Sequence, residues 1–302
     1  MTVVAITGAS GLIGSALTRS LRDRGDRVIR FVRRETRSAD ERRWDPATGL
    51  LDPASLADID TVVNLAGAGI GDRRWSTEHK RAILRSRVDA TRAVVGAIEG
   101  SGRGIRLVNG SAVGIYGDRG DEILTETSDP GTGFLSEVVR AWEGSAQPLL
   151  DRGGSVAFAR TGIVASPSGG AFAPLIRLTK FGLGGPIGLG RFYWPLISLA
   201  DEVSALTFLI DRPDLTGPVN LTGPAPARQR DIARALGTAL GRPAFLPAPP
   251  LAVRIVVGEF AGEITASQRA LPTRLTEAGF AHQHPTLAEI VRSATADAIT
   301  SA

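Results

Sequence analysis

A chain of 302 residues with 43% hydrophobic content is long enough for one large domain, or a core domain with a smaller companion, around a sizeable core. Its 35 basic and 31 acidic residues leave a formal charge of +4, but nearly all the cations are arginines scattered among acids, as in LRDRGDRV, so no basic stripe points to nucleic acid. The lack of cysteine excludes disulfides, thiolate-held zinc and thiol nucleophiles. No apolar run approaches the roughly 18–20 residues of a bilayer span, and the opening MTVVAITGASGLIG has no basic leader, so a cytoplasmic protein without a membrane partner is expected.

VVAIT (3–7) is a short β-branched run ending in a glycine turn, the pattern of a buried strand. From Gly11 to Arg24, Leu12, Ile13, Ala16, Leu17 and Leu21 recur at helical spacing, and Gly25 closes the helix. RVIRFV (27–32), DTVVNLAG (60–67), IRLVNG (105–110) and GSVAFARTGIV (154–164) read as further strands, with a long helix at about 77–99. Alternating strands and helices predict a doubly wound parallel α/β sheet of the Rossmann type over 1–165. Beyond it, glycine- and proline-rich loops, a helix near 171–180 and several later helices predict a smaller, mostly helical substrate or cap domain over 166–302, from which GPVNLTG (strand near 217–221) returns to the sheet.

TGASGLIG sets Gly8, Gly11 and Gly14 between the first strand and the first helix. Gly8 permits the tight turn, Gly11 lets the backbone approach a pyrophosphate, and Gly14 lets helix and strand pack closely. The cradle spans Gly8, Ser10, Gly11, Leu12, Ile13 and Gly14, and its helix start offers N–H groups and partial positive charge to an anion. At the end of the second strand, where an acid would bind the ribose 2′-OH of NAD, stand Val32, Arg33 and Arg34. Two guanidiniums suit a 2′-phosphate, so NADP(H) is the expected cofactor; the alternative reading is that both simply solvate a strand end.

TGASGLIG, NLAG and SAVGIYG, in that order, resemble the extended short-chain dehydrogenase/reductases of the epimerase/dehydratase branch. RRWSTEHKRAILRSRVDAT, GPVNLTGPAP, VGEFAGEI and LPTRLTEAGFAHQHPTLAEI are similar to an atypical subgroup of unknown substrate with a characteristic C-terminal helical region. The resemblance implies that Leu65, Ala66 and Gly67 line the cofactor, that VNGSAVGIYG leads to the nicotinamide, and that the second domain closes over a small-molecule substrate. It also implies a hydroxyl, a tyrosine and a lysine, the lysine lowering the phenol pKa for proton exchange during hydride transfer.

That machinery does not carry over. The hydroxyl position holds Ala112, with Ser111 one place earlier; the tyrosine position holds Leu135 or Phe134, and the lysine position Val139 or Val138. The remaining catalytic candidates are Ser111 and Tyr116, with Glu137 and Arg140 close in sequence. Ser111 suits binding a carbonyl or the carboxamide, and Tyr116 suits either proton donation or packing beside the cofactor. HQH (282–284) lacks a third ligand, so no metal is expected. GLGGPIGLG (182–190) reads as a flexible loop over the cleft and RFYWP (191–195) as its aromatic mouth. Two functional readings follow: an NADP(H)-dependent oxidoreductase or epimerase-like enzyme with a non-standard proton donor, or a non-catalytic NADP(H)-binding sensor or partner-binding module.

Overall fold

The computed structural model describes residues 1–300, with side chains through residue 296. Seven parallel strands form the central sheet: β1 (Val3–Thr7), β2 (Arg27–Val32), β3 (Glu41–Arg43), β4 (Thr61–Asn64), β5 (Arg106–Ala112), β6 (Val156–Thr161) and β7 (Gly217–Leu221). Their order is β7-β6-β5-β4-β1-β2-β3. Connections leave β1 in both directions, so a crevice opens at the carboxyl ends of β1 and β4, where doubly wound sheets bind ligands.

Both faces of the sheet are covered, which is why its strands read as continuous apolar runs. On one face α1 (Leu12–Asp23) and α6 (Leu199–Asp211) bury Leu17, Leu21, Leu206 and Leu209 against Val4, Ile6 and Val219. On the other, α2 (Thr77–Ser101) buries Ala90, Val94 and Ile98 against Ala5, Val62 and Leu107. Ser76 caps α2 by accepting a hydrogen bond from the His79 N–H, and Gly102 ends it at φ 64° in the left-handed region. α3 (Phe134–Gly144) and the short α4 (Gln147–Asp151) follow β5.

A separate core joins α5 (Phe172–Lys180), α7 (Gln229–Leu240) and α11 (Leu287–Thr300) through Phe172, Ile176, Ile232, Leu236, Ile290 and Val291. The short helices α8 (Pro250–Val257), α9 (Phe260–Thr265) and α10 (Thr273–Glu277) connect them. Two elements from beyond residue 165, α6 and β7, lie in the layers of the main sheet.

Two local features differ from the sequence reading. β3 is the charged tripeptide ERR, an edge strand held by ion pairs rather than by apolar alternation: Arg30 and Arg34 both bond the buried Glu41. The run 154–164 is two strands, β6 and a short strand Ile163–Ala165 that pairs with Leu196–Ser198 in a sheet of its own. They part at Gly162, packed so closely on the Pro195 carbonyl that a Cβ has no room.

Glu202, on the first turn of α6, is fully buried. The Thr161 hydroxyl donates to its Oε1 at 2.7 Å, while Oε2 has no partner. Burial pushes this carboxyl up to about 8, against the opposing effect of the Thr161 bond. A carboxyl that holds its proton more tightly when folded adds stability below the unfolded-state pKa, and that contribution is lost as pH rises through the folded value. Urea midpoints of the unmutated protein should therefore fall between about pH 5 and about pH 8, and Glu202→Gln, which keeps the Thr161 bond, should flatten that slope.

Candidate active site

The crevice starts at the glycine turn. Gly8 adopts φ +66°, and a Cβ there would lie 2.6 Å from the Leu65 carbonyl oxygen. A Cβ on Gly14 would run into the Gly8 carbonyl. Both glycines are thus demanded by the fold itself. Gly11 differs: its φ of −75° and ψ of 174° suit any residue, and a Cβ would meet only the Gly8 oxygen, at 3.3 Å. It stands at the N-cap of α1 without a side-chain cap, ahead of the first-turn amides of Leu12, Ile13 and Gly14, so the space beside it is free for an anion. Ser10 is exposed next to it.

A buried polar network fixes the opposite wall. Thr7 Oγ1 donates to Asn64 Oδ1 at 2.7 Å and accepts from the Leu65 and Ala66 N–H groups at 3.0 and 3.1 Å. Asn64 Nδ2 donates to Thr91 Oγ1 and Asn109 Oδ1, tying β4 to α2 and β5. The loop carrying Leu65, Ala66 and Gly67 is thereby locked at the carboxyl end of β4, facing the glycine turn. Behind Gly67 lies the Arg87 guanidinium, which donates to the Ala68 and Ile83 carbonyls and packs over the Trp142 ring at 5.1 Å. Burial lowers its pKa to about 10.

At the end of β2 the two arginines part company. Arg34 donates to both oxygens of Glu41 at 2.7 and 2.9 Å, and the Arg37 N–H adds a further bond. The Arg34 and Arg37 hydrogen bonds hold the Glu41 carboxyl down at about 2. Arg33 is exposed and makes no ion pair among the described residues. The acid beside the end of β2 therefore comes from β3, a strand the sequence pattern did not reveal, and it is already neutralised by Arg34.

At the end of β5, Ser111 is 4% exposed and its Oγ donates to Glu143 Oε1 at 2.6 Å. The Arg160 guanidinium holds Glu143 at both oxygens, Nε to Oε1 at 2.8 Å and Nη2 to Oε2 at 2.9 Å. Burial works against the Arg160 charge, but the bonds to Glu143 more than offset it and raise its pKa. Neither Glu143 nor Arg160 was singled out from the sequence. The available signal was a charged residue inside an apolar strand run, AFARTG, which must find a partner when buried.

Tyr116 is fully buried among Val113, Ile115, Leu124, Val139 and Ala270. Its hydroxyl donates to Asn220 Oδ1 at 2.7 Å and accepts from Arg160 Nη1 at 3.1 Å. Burial pushes the phenol pKa up, with Arg160 opposing. Of the two readings of Tyr116, these contacts match packing: it braces β7 against Arg160 from within the core. Glu137 and Arg140 lie exposed on α3, away from this cluster.

The fold does bring a lysine to the region. Lys80 Nζ, on the first turn of α2, lies 5.1 Å from the Phe134 ring centroid and 2.6 Å from Glu259 Oε2. Phe134 stands at one of the two positions where the resemblance calls for tyrosine, so the cation meets a ring without a hydroxyl. Trp75 packs against both Phe134 and Phe260, and Glu263 accepts from the Leu135 N–H. In the segment 191–195, Tyr193 is flanked by Arg228 and Arg269, with guanidiniums 4.6 and 5.1 Å from its ring. His282 bonds the Thr222 carbonyl and His284 bonds the Ser198 hydroxyl beside Asp201, so both rings serve to dock the C-terminal segment.

Comparison with known proteins places the fold in a family. The NAD dependent epimerase/dehydratase family matches residues 4–134, and a domain of unknown function, DUF1731, matches residues 248–294. The epimerase family protein Mb2239 of Mycobacterium bovis is 45% identical over 294 residues, 97% of each chain. The chloroplastic SDR39U1 homolog of Arabidopsis thaliana is 33% identical over 96% of this chain and 86% of its own. The crystal structure of the human epimerase family protein SDR39U1 (isoform 2), determined with NADPH, superposes with a TM-score of 0.88 at 29% identity, covering 98% of this chain and 100% of that one. The chain belongs to the NAD-dependent epimerase/dehydratase family, among the epimerase family proteins that carry a DUF1731 domain at the C-terminal end.

Proposed function

We propose that the chain is a cytoplasmic NADP(H)-dependent oxidoreductase or epimerase-like enzyme, in which a Ser111–Glu143 pair takes the place of the absent tyrosine and lysine. The observation that carries this reading is the row Ser111–Glu143–Arg160 at the end of β5, two strands along the sheet from the glycine cradle that follows β1. The NADPH bound by the similar human protein supports the cofactor. The residues present fit it: Gly11 leaves open the approach to the α1 amides, and Arg33 stands free at the ribose end.

When bound, the nicotinamide supplies or takes up hydride. The work of the protein is to hold the proton. Ser111 has its own proton on Glu143, which leaves its oxygen as an acceptor for a substrate hydroxyl; a proton arriving there passes along the 2.6 Å bond to Glu143 Oε1, beside the compensating Arg160. In the reducing direction the same pair returns the proton to a carbonyl oxygen. Arg228 and Arg269 around Tyr193 suit a small substrate carrying negative charge.

Three outcomes follow. In fluorescence titrations NADPH should bind more tightly than NADH, and Arg33→Ala should remove the preference, the lost phosphate contact being worth roughly tenfold; equal curves for the unmutated protein would sink the NADP assignment. Gly11→Val should abolish cofactor binding without lowering the melting temperature appreciably, whereas Gly14→Val should destabilise the fold, because only the Gly14 Cβ collides with backbone. Finally, stopped-flow oxidation of NADPH across a panel of carbonyl compounds should slow by about 100-fold or more in Ser111→Ala with cofactor binding unchanged, while Tyr116→Phe should keep turnover at a stability cost of about 1–2 kcal/mol. Unchanged turnover in Ser111→Ala would remove that residue from the mechanism. No turnover with any compound would favour a binding module.

A further inference from the structure

The second domain leaves a large apolar surface uncovered. Among the described residues, nine of the twelve large hydrophobic side chains that remain exposed fall in 172–191 and 241–258. Phe181 is 81% and Phe245 79% exposed, and α8 buries none of its residues. These segments form one face. Gly188 N–H donates to the Ala248 carbonyl and Ala248 N–H to the Pro186 carbonyl, and Gly185 packs directly on the Leu246 backbone. The loop expected to float over the cleft is thus pinned to the proline-rich segment, and Phe181, Leu183, Leu189, Phe245, Leu251 and Ile255 project from the joined surface.

The charge around this face has one sign. Segments 172–191 and 241–258 contain Arg177, Lys180, Arg191, Arg242 and Arg254 and no aspartate or glutamate, in a chain with 31 acids. None of the five cations forms an ion pair among the described residues, although most other charged clusters in the protein are paired. Acids on the adjoining helices are engaged elsewhere: Asp231 near Arg230 and Arg234, Glu259 with Lys80, and Glu263 with the Leu135 N–H. Two copies meeting through this face would bring unpaired arginines together, a like-charge contact that opposes self-association. An anionic bilayer surface satisfies both features, since aromatic and aliphatic side chains enter the headgroup boundary while arginine and lysine meet phosphate and carboxylate groups. No helix among the described residues is long and apolar enough to cross a membrane, so the contact is peripheral.

We propose that the face formed by 172–191 and 241–258 docks the protein onto lipid bilayers bearing anionic headgroups. α8 leads into α9, whose Phe260 packs on Trp75 beside the crevice, so docking sets the cleft mouth near the lipid surface. The test is co-sedimentation of the full chain with vesicles of phosphatidylcholine alone and with about 30 mol % phosphatidylserine. Binding is expected only to the anionic vesicles, with release as salt rises from about 50 to about 500 mM. Arg177→Glu with Arg254→Glu should weaken it at least about tenfold, and Phe181→Ser with Phe245→Ser should abolish it, both variants keeping the unmutated melting temperature because these side chains are exposed. Failure to sediment with anionic vesicles, or equal binding to both kinds, would overturn the proposal. So would a concentration-dependent dimer in sedimentation velocity that Phe181→Ser with Phe245→Ser dissociates, since that would identify a second copy as the occupant.

Discussion

The buried ion pair between Arg160 and Glu143 is the constraint on which the centre of the molecule depends. Arg160 sits in β6 at 6% exposure, where an uncompensated guanidinium would cost several kcal/mol. Its donors reach both oxygens of Glu143 at the end of α3 and the Tyr116 hydroxyl beyond β5. Tyr116 then holds Asn220, whose side chain donates to the Leu271 carbonyl and whose N–H donates to Glu126. One charge therefore orients a helix, two sheet strands and the segment leading into α10. Because Glu143 also accepts from the Ser111 hydroxyl, the same pair fixes Ser111 at the end of β5.

A second network does the equivalent work on the cofactor side. Thr7, Asn64, Thr91 and Asn109 satisfy one another in a space with no water access, and the spare acceptor capacity of Thr7 fixes the backbone of Leu65 and Ala66. The crevice is thus rigid on both walls before any ligand arrives. The glycines divide accordingly: Gly8 and Gly14 serve the packing of turn, helix and strand, while a Cβ on Gly11 would only press on the Gly8 carbonyl oxygen at 3.3 Å.

The positions to which the resemblance assigns tyrosine and lysine hold side chains with packing roles. Phe134 joins Trp75 and Phe260 in an aromatic cluster under Lys80, Val139 packs in the core beside Tyr116, and Val138 is buried as well. Lys80 in turn reaches across to Glu259, connecting the first helix turn after the crevice to the C-terminal region. Neither tyrosine of the chain touches a lysine among the described residues; Tyr116 meets Arg160 and Asn220, and Tyr193 meets Arg228 and Arg269.

The amino-acid sequence by itself determined the parallel sheet and the glycine turn at its centre. Each is written in local pattern: apolar strand runs, helical spacing, and three glycines at a strand–helix junction. What it left open depends on contacts between distant positions. Glu41 meets Arg34 only because an edge strand of three charged residues closes beside β2, and no periodicity marks such a strand. Ser111 and Glu143 are 32 residues apart, Tyr116 and Asn220 104, and Lys80 and Glu259 179. Side chains with that separation acquire partners, burial and protonation only when the layers pack, so the tertiary structure alone decided that Tyr116 is a core brace, that Arg34 is already paired, and that Ser111 stands against a carboxylate.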